Sequence, residues 1–371
     1  MSFRRESLPP MDVVDRSARL RARLAEAGCD ALLVTNVTNI RYLTGFTGSA
    51  ALLLVTPDRL VFVTDGRYRD QAAAQLAAAG VEADIEIGRT ADEQRTLLAG
   101  AAKGVGRLGL EAEAVTWGQQ RRFAGEWFPD AELVPTEGLV EDLRRVKDAG
   151  EVARIQAACA IADAALAAVR HRLGEAPTEA EVALELEWQM RRLGAEGPSF
   201  DTIVASGPNG AMPHHRAGER RITEGDLVVI DFGALVDGYH SDMTRTVAVG
   251  EVSAEQRRML DAVAEAQAAG VAAVRAGVAA KDVDEACRAV LREAGLEDAF
   301  LHGTGHGVGL DIHEAPRVSA NAPGTLADGH VVTVEPGVYL PEHGGVRIED
   351  TVVVTAEGCR TLTLAPKDPT L

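Results

Sequence analysis

Apolar positions along the chain follow two periods. Residues 13–27 carry them at helical spacing up to Gly28, and 31–34 follows as a short continuous run typical of a buried strand. Two further strands are predicted at 51–55 and 60–63, joined by a Pro57-Asp58 turn, with a helix at 68–79 that stops at Gly80. This mixed α/β style continues through 108–134. It ends at the charged stretch Glu141-Asp142-Leu143-Arg144-Arg145-Val146-Lys147-Asp148, after which long helices begin. The domain division is therefore expected there: an α/β domain over 1–142 and a larger α+β domain over 143–371. In the larger part a helix is predicted at 151–173. Thr178 with Glu181 forms a capping box that opens a helix running to 193, and Ser253 with Gln256 does the same for a helix at about 254–276. Strands at 202–205, 227–235, 239–249, 331–334 and 346–354 are interleaved with these helices. The expected arrangement is a curved antiparallel sheet backed by helices.

Composition changes this picture little but narrows the function. The chain has 371 residues, 46% of them hydrophobic, enough for two cores. Its net charge of −18 argues against a nucleic-acid or anionic-membrane partner and in favour of a peptide or other small substrate. Cys29, Cys159, Cys287 and Cys359 are scattered without CxxC spacing, so reduced thiols in a cytoplasmic protein are expected. No basic-plus-apolar leader is read. The longest strongly apolar run taken from the sequence, 50–55, is too short to span a bilayer.

The chemistry concentrates in the C-terminal third. Asp231 and Asp242 fall on the two strands of a hairpin whose turn signal is Asp237-Gly238. Eleven residues apart, they are predicted to share a sheet face as direct or diagonal cross-strand neighbours. Asp231 lies inside an apolar run, and a buried carboxylate needs a partner, most simply a cation. His306 in a glycine-rich stretch, Glu335 and Glu349 complete a set of four carboxylates and one imidazole. Such oxygen-rich ligation suits a pair of hard divalent ions and not a thiolate-rich structural zinc site. The residues themselves thus read as a two-metal hydrolase.

Competing motifs fail. His302 and His306 have the spacing of a helical zinc pair, but Gly303, Gly305 and Gly307 disfavour a helix, so His306 is expected on a loop or extended segment. His313-Glu314 opens like HExxH, yet Arg317 occupies the second histidine position and Pro316 would break the helix. A phosphate loop would need glycine where Leu310 stands.

The motifs Asp231-Phe232-Gly233, Ser241-Asp242-Met243-Thr244-Arg245-Thr246, His302-Gly303-Thr304-Gly305-His306-Gly307-Val308-Gly309, Val334-Glu335-Pro336-Gly337 and Arg347-Ile348-Glu349-Asp350 occur in the order seen in the pita-bread metallopeptidases. The chain resembles the Xaa-Pro aminopeptidase and Xaa-Pro dipeptidase branch of that family. Tyr42-Leu43-Thr44-Gly45-Phe46-Thr47-Gly48-Ser49 and Thr64-Asp65-Gly66-Arg67-Tyr68 resemble the smaller N-terminal creatinase-like domain of its members. The resemblance implies a C-terminal pita-bread catalytic domain and two divalent metal ions, Mn(II) above all, with Co(II) or Zn(II) as alternatives. A homodimer acting on proline-containing peptides is also implied.

Carried over residue by residue, the family's roles make Asp231 a terminal ligand of one metal and His306 with Glu335 ligands of the other, with Asp242 and Glu349 bridging. Glu335 also resembles the general base. His214 and His313 resemble groups that position substrate and stabilise the tetrahedral intermediate. His302, Tyr339 and Arg347 resemble substrate-binding residues, Arg347 by reaching a carbonyl or a C-terminal carboxylate. His215 is read as a surface residue. Phe200 is read as a core residue, with the wall of a proline pocket as its alternative. The leading expectation is an aminopeptidase cleaving Xaa-Pro bonds, with the dipeptidase as alternative. A metal-free creatinase-like hydrolase and a non-catalytic binding module are more distant readings, since neither has reason to keep several costly buried carboxylates.

Overall fold

The computed structural model describes residues 8–371, in two compact units. The first, Asp12–Arg144, is built on one six-stranded sheet. Its strands are β1 (Ala31–Val34), β2 (Ala51–Val55), β3 (Leu60–Thr64), β4 (Asp84–Ile87), β5 (Arg107–Glu111) and β6 (Glu132–Thr136), in the order β4-β3-β2-β1-β5-β6. The pairs β1–β2 and β2–β3 are antiparallel, and the crossover pairs β3–β4, β1–β5 and β5–β6 are parallel. Helices α1 (Arg16–Leu24), α2 (Val37–Thr44), α3 (Arg69–Ala78), α4 (Ala91–Ala101), α5 (Trp117–Arg122) and α6 (Glu141–Arg144) accompany it. Leu33, Leu54, Val63, Leu98, Leu108 and Phe123 form the core on one side.

The second unit begins at Arg145, two residues beyond the expected division, and residues 8–11 group with it. Arg154 Nη1 donates to Pro9 O at 2.9 Å, which fastens that N-terminal segment to the first long helix. The unit repeats one plan twice. Helices α7 (Ala149–Val169) and α8 (Glu179–Leu193) precede strands β7 (Gly197–Pro198), β8 (Ile203–Ser206), β9 (Leu227–Phe232), β10 (Ala234–Val236), β11 (Tyr239–His240) and β12 (Met243–Ala248). Helices α9 (Ala254–Ala273) and α10 (Ala280–Glu293) then precede β13 (Gly305–Gly307), β14 (Glu314–Val318), β15 (Val331–Val334), β16 (Gly337–Leu340), β17 (Gly344–Arg347), β18 (Asp350–Val354) and β19 (Cys359–Thr361). Each helix pair packs on its own sheet. Ile161, Ala162, Leu186 and Met190 meet Val228, Ile230 and Val247, while Met259, Val263, Val283 and Leu291 meet Val332, Val334 and Val352.

Both predicted capping boxes are formed, and a third opens α7, where Asp148 accepts from Glu151 N. Residues 149–175 are long and apolar enough, by length and composition alone, to cross a bilayer, so the sequence reading overlooked a longer apolar stretch than 50–55. In the fold, Ala158, Cys159, Ala162, Ala165 and Leu166 of this stretch are core residues. The predicted strand 346–354 is also corrected. It is two strands in two sheets, β17 pairing with β16 and β18 with β15 and β19, with the break at Ile348-Glu349.

Candidate metal centre

The hairpin turn is a two-residue one. Asp237 and Gly238 both have positive φ, 48° and 70°, the backbone that matches the twist of the flanking strands. That turn sets the register: Asp231 pairs across with Thr244, and Asp242 stands two residues closer to the turn, a diagonal neighbour on the same face. The opposing donors come from the second half. Gly305 lets β13 run against β15, because a Cβ there would lie 2.0 Å from Thr333 O. This close approach presents His306 from an extended segment, its Nε2 3.3 Å from Glu335 Oε1 and 3.4 Å from Asp242 Oδ2. Glu349 sits at the break between β17 and β18, where its N–H donates to Thr244 O at 3.1 Å and ties the two halves together. One donor atom each from Asp242, His306 and Glu349 lie within 4.8 Å of one another, with all three residues buried.

Whether these residues fit a cation can be judged from what they leave unsatisfied. Asp231 Oδ1 and Glu349 Oε1 are buried with no hydrogen-bond partner, a costly condition for a carboxylate oxygen. The other oxygen of each is held: Asp231 Oδ2 accepts from Arg347 Nη2 at 2.6 Å, and Glu349 Oε2 accepts from Thr244 Oγ1 at 2.7 Å. His306 Nδ1 donates to Gly307 O at 3.0 Å, which fixes the ring and turns Nε2 toward the acids. Burial and then the neighbouring charges push the acids up: Asp231 is raised, Asp242 reaches about 7 and Glu349 stands well above the carboxylate range. Burial opposes ionisation of Glu335 too, but the hydrogen bond and charge of His306 outweigh it and hold Glu335 at about 2. Protons occupy the cluster where positive charge is wanted, and divalent cations meet that demand with oxygen-dominated ligation.

The five proposed ligands line one cavity of about 330 Å³, the lower end of the range for small-ligand sites (~300–1,000 Å³). His214, His302, His313 and Arg347 line it as well. His313 meets the His306 ring edge-on at 4.4 Å, and its pKa is lowered, by burial first and then by the His306 charge.

Four residues take places other than those expected. Tyr339 stands behind the wall, 4% exposed, donating to His302 Nε2 at 2.8 Å and accepting from Arg347 Nη1 at 2.7 Å. All three guanidinium nitrogens of Arg347 serve Asp231, Tyr339 and Thr244, so this arginine orients a ligand while it also lines the cavity. His215, read as a surface residue, bonds the buried Glu179 at 2.8 Å. Phe200, read as core, lines the cavity together with Pro213 and Ile312. Arg317 was missed as a site residue. It is exposed, lines the cavity and forms no ion pair among the described residues. Its place in β14, four residues after His313, was the available signal. Arg347→Met should cost about 3 kcal/mol, the scale for stranding a largely buried carboxylate. A denaturant midpoint lowered at unchanged slope would register it, and an unmoved midpoint would show that Asp231 does not depend on this arginine.

Both units of the chain resemble known proteins. Residues 153–356 match metallopeptidase family M24, and residues 16–146 match the creatinase/prolidase N-terminal domain. An Xaa-Pro dipeptidase of Pyrococcus furiosus is 36% identical, over 95% of this chain and 99% of its own. Among solved structures, an Xaa-Pro dipeptidase from Bacillus anthracis is 41% identical with a TM-score of 0.93, covering 96% of this chain and 99% of that one. An X-Pro aminopeptidase from Thermotoga maritima is 36% identical with a TM-score of 0.87, covering 96% and 100%. The pita-bread fold, its creatinase-like N-terminal domain and the donor cluster therefore belong together: the chain is a member of metallopeptidase family M24, in the branch of the Xaa-Pro dipeptidases and aminopeptidases.

Proposed function

We propose that the chain is an Xaa-Pro aminopeptidase that uses two divalent cations to hydrolyse the bond before proline at the N-terminus of short peptides. The observation that carries this reading is the convergence of four carboxylates and His306 on one small cavity, with an orphaned oxygen on both Asp231 and Glu349. Asp231, Asp242, His306, Glu335 and Glu349 would hold the cations, Mn(II) best of all by donor chemistry, with Co(II) or Zn(II) as alternatives. When bound, the cations supply Lewis acidity toward the attacking water and the scissile carbonyl. Glu335 takes the proton of the attacking water. His313 donates to the oxygen that gains charge as the carbonyl carbon becomes tetrahedral. His214 contacts substrate from the facing wall. Arg347 and Tyr339 act behind these groups by fixing Asp231 and His302.

Proline preference has a physical source in the same cavity. An Xaa-Pro bond has no N–H to offer a backbone acceptor, so recognition falls to the ring. Phe200, Pro213 and Ile312 provide apolar wall for it. Replacing proline by alanine in an Xaa-Pro-Yaa peptide should lower kcat/KM by at least ~100-fold, about 3 kcal/mol of differential transition-state binding. Equal rates on the two peptides would remove proline specificity.

A second reading, the Xaa-Pro dipeptidase, is favoured by Arg317. A cation without an acid partner on the cavity wall is what the free carboxylate of a terminal proline would require. Relatives named as Xaa-Pro dipeptidases support it also. Comparing Ala-Pro with Ala-Pro-Ala on metal-loaded protein decides: turnover of the dipeptide alone would make the dipeptidase the function and overturn the aminopeptidase.

A further inference from the structure

We propose that Glu179 is a positioning residue for the reaction, acting through the loop that carries His214. Glu179 is the first residue of α8 and is fully buried. Its carboxylate collects donors from across a turn-rich segment. Oε1 accepts from Ser206 N at 2.8 Å, Ser206 Oγ at 2.7 Å and Asn209 Nδ2 at 3.0 Å. Oε2 faces His215 Nε2 at 2.8 Å and accepts from Gly218 N at 3.2 Å. Every one of these partners lies in residues 206–218, where β8 ends at Ser206 and the regular structure after it is a single 3-10 turn at Gly207–Ala211.

The helix start and the loop are stitched together by backbone as well. Glu179 N donates to Arg220 O, and Ala180 N donates to Gly218 O, both at 3.0 Å. The partial positive charge of the helix N-terminus favours an anion at this place. Arg220 adds the compensating cation at one remove: it donates to Ser206 Oγ at 2.6 Å and pairs with Asp226 at 2.7 Å. A buried carboxylate meeting this many donors is more than a helix cap needs, since Thr178 already caps α8.

The consequence for the site follows from two neighbouring histidines. His215 turns to Glu179, and His214 lines the cavity. Anchoring the first aims the second. Without the anchor, His214 would sit on a long loop with little to define it, and a displacement of about 1 Å at a reacting centre can cost ~100-fold in rate. Glu179 touches no substrate and no proposed metal ligand; its effect passes through His214. The inference rests on the reading of His214 as a substrate-contacting group.

The test is a double-mutant cycle on metal-loaded, full-length protein with the Xaa-Pro peptide that the wild type turns over fastest, joined to amide hydrogen exchange. Glu179→Gln is expected to lower kcat/KM by ~10- to 100-fold, yet by less than ~2-fold once His214→Ala is present. Exchange at residues 206–218 should accelerate by at least ~10-fold, with the α7–α8 core unchanged. His215→Leu should reproduce a weaker form of both effects, and His215→Gln, which keeps an N–H donor, should restore activity to within ~3-fold. This second pair carries the test if Glu179→Gln does not fold. Additive losses in the His214→Ala background, or unaltered exchange in the loop, would overturn the proposal. The exchange arm needs no turnover, so a wrong substrate assignment and a wrong role for Glu179 give different results.

Discussion

Glu335→Ala is expected to lower kcat by at least ~1,000-fold while leaving the fold intact, because the carboxylate serves as both general base and proposed ligand. The fold should survive for reasons visible at the site. The Glu335 backbone is held independently of its side chain, N–H to Thr304 O at 2.7 Å, at the end of a fully buried strand. Its charge also raises the pKa values of Asp231 and Glu349, so removing it relieves repulsion inside the cluster. The losses that oppose this are the acceptor of Thr333 Oγ1, at 3.1 Å, and one partner of His306, which keeps Asp242 at 3.4 Å. Steady-state kinetics with a thermal melt on the same preparation checks both halves. Near-normal turnover would sink the two-metal reading, and a melt many degrees lower would show that Glu335 is structural.

What could be read from the sequence was what is local. The helix opened by Thr178 and Glu181 ends at Leu193 as predicted, because capping box, apolar spacing and the following Gly194 all lie within one segment. Asp231 and Asp242 could be placed on one face because a two-residue turn converts spacing into register. Helix α10 shows in the sequence only as a helical pattern around Cys287 without bounds, and its start explains why: Ala279 precedes it with no side-chain cap. Helix α2 was also missed, since Val37, Thr38, Ile40 and Thr44 are β-branched residues with a strand-like signature.

The misread residues at the site depend on tertiary structure. Arg347 and Glu349 were placed on one strand, and both do reach the cavity, but across a break where the chain leaves one sheet for another. No local pattern marks that change. Nor does the order His214-His215 say which ring faces the cavity; the buried Glu179, 36 residues upstream, decides it. Whether Arg347 would be free or engaged likewise turned on Tyr339 and Thr244 reaching it from other strands.

Chelation should take turnover to background, and Mn(II) should restore it. The metal-free protein should also show a pH dependence of stability that the loaded protein lacks. The sign follows from the acids whose folded values lie above their unfolded ones. Burial and then neighbouring charge lift Asp242 from 3.8 to about 7, and Asp231 and Glu349 are raised too. Between the unfolded and folded values such a group holds more proton in the folded state, so stability falls as pH rises through that window. His306, raised against the opposing effect of burial by its bonds to Asp242 and Glu335, has the same sign: its contribution is complete below the ordinary histidine value and is lost as pH rises through the folded one. Glu335, held at about 2, contributes stability above the ordinary glutamate range that is lost only as pH falls toward 2, outside the window. Metal-free protein should therefore melt at least ~5 °C higher at pH 5.5 than at pH 8. Cations replace those protons when they bind, so Mn(II) should raise the melting temperature most at pH 8 and flatten the dependence. Full activity after chelation would move the chain to a metal-free hydrolase. A melting temperature that rises with pH in the metal-free protein would show that the acids do not repel one another as the site geometry requires.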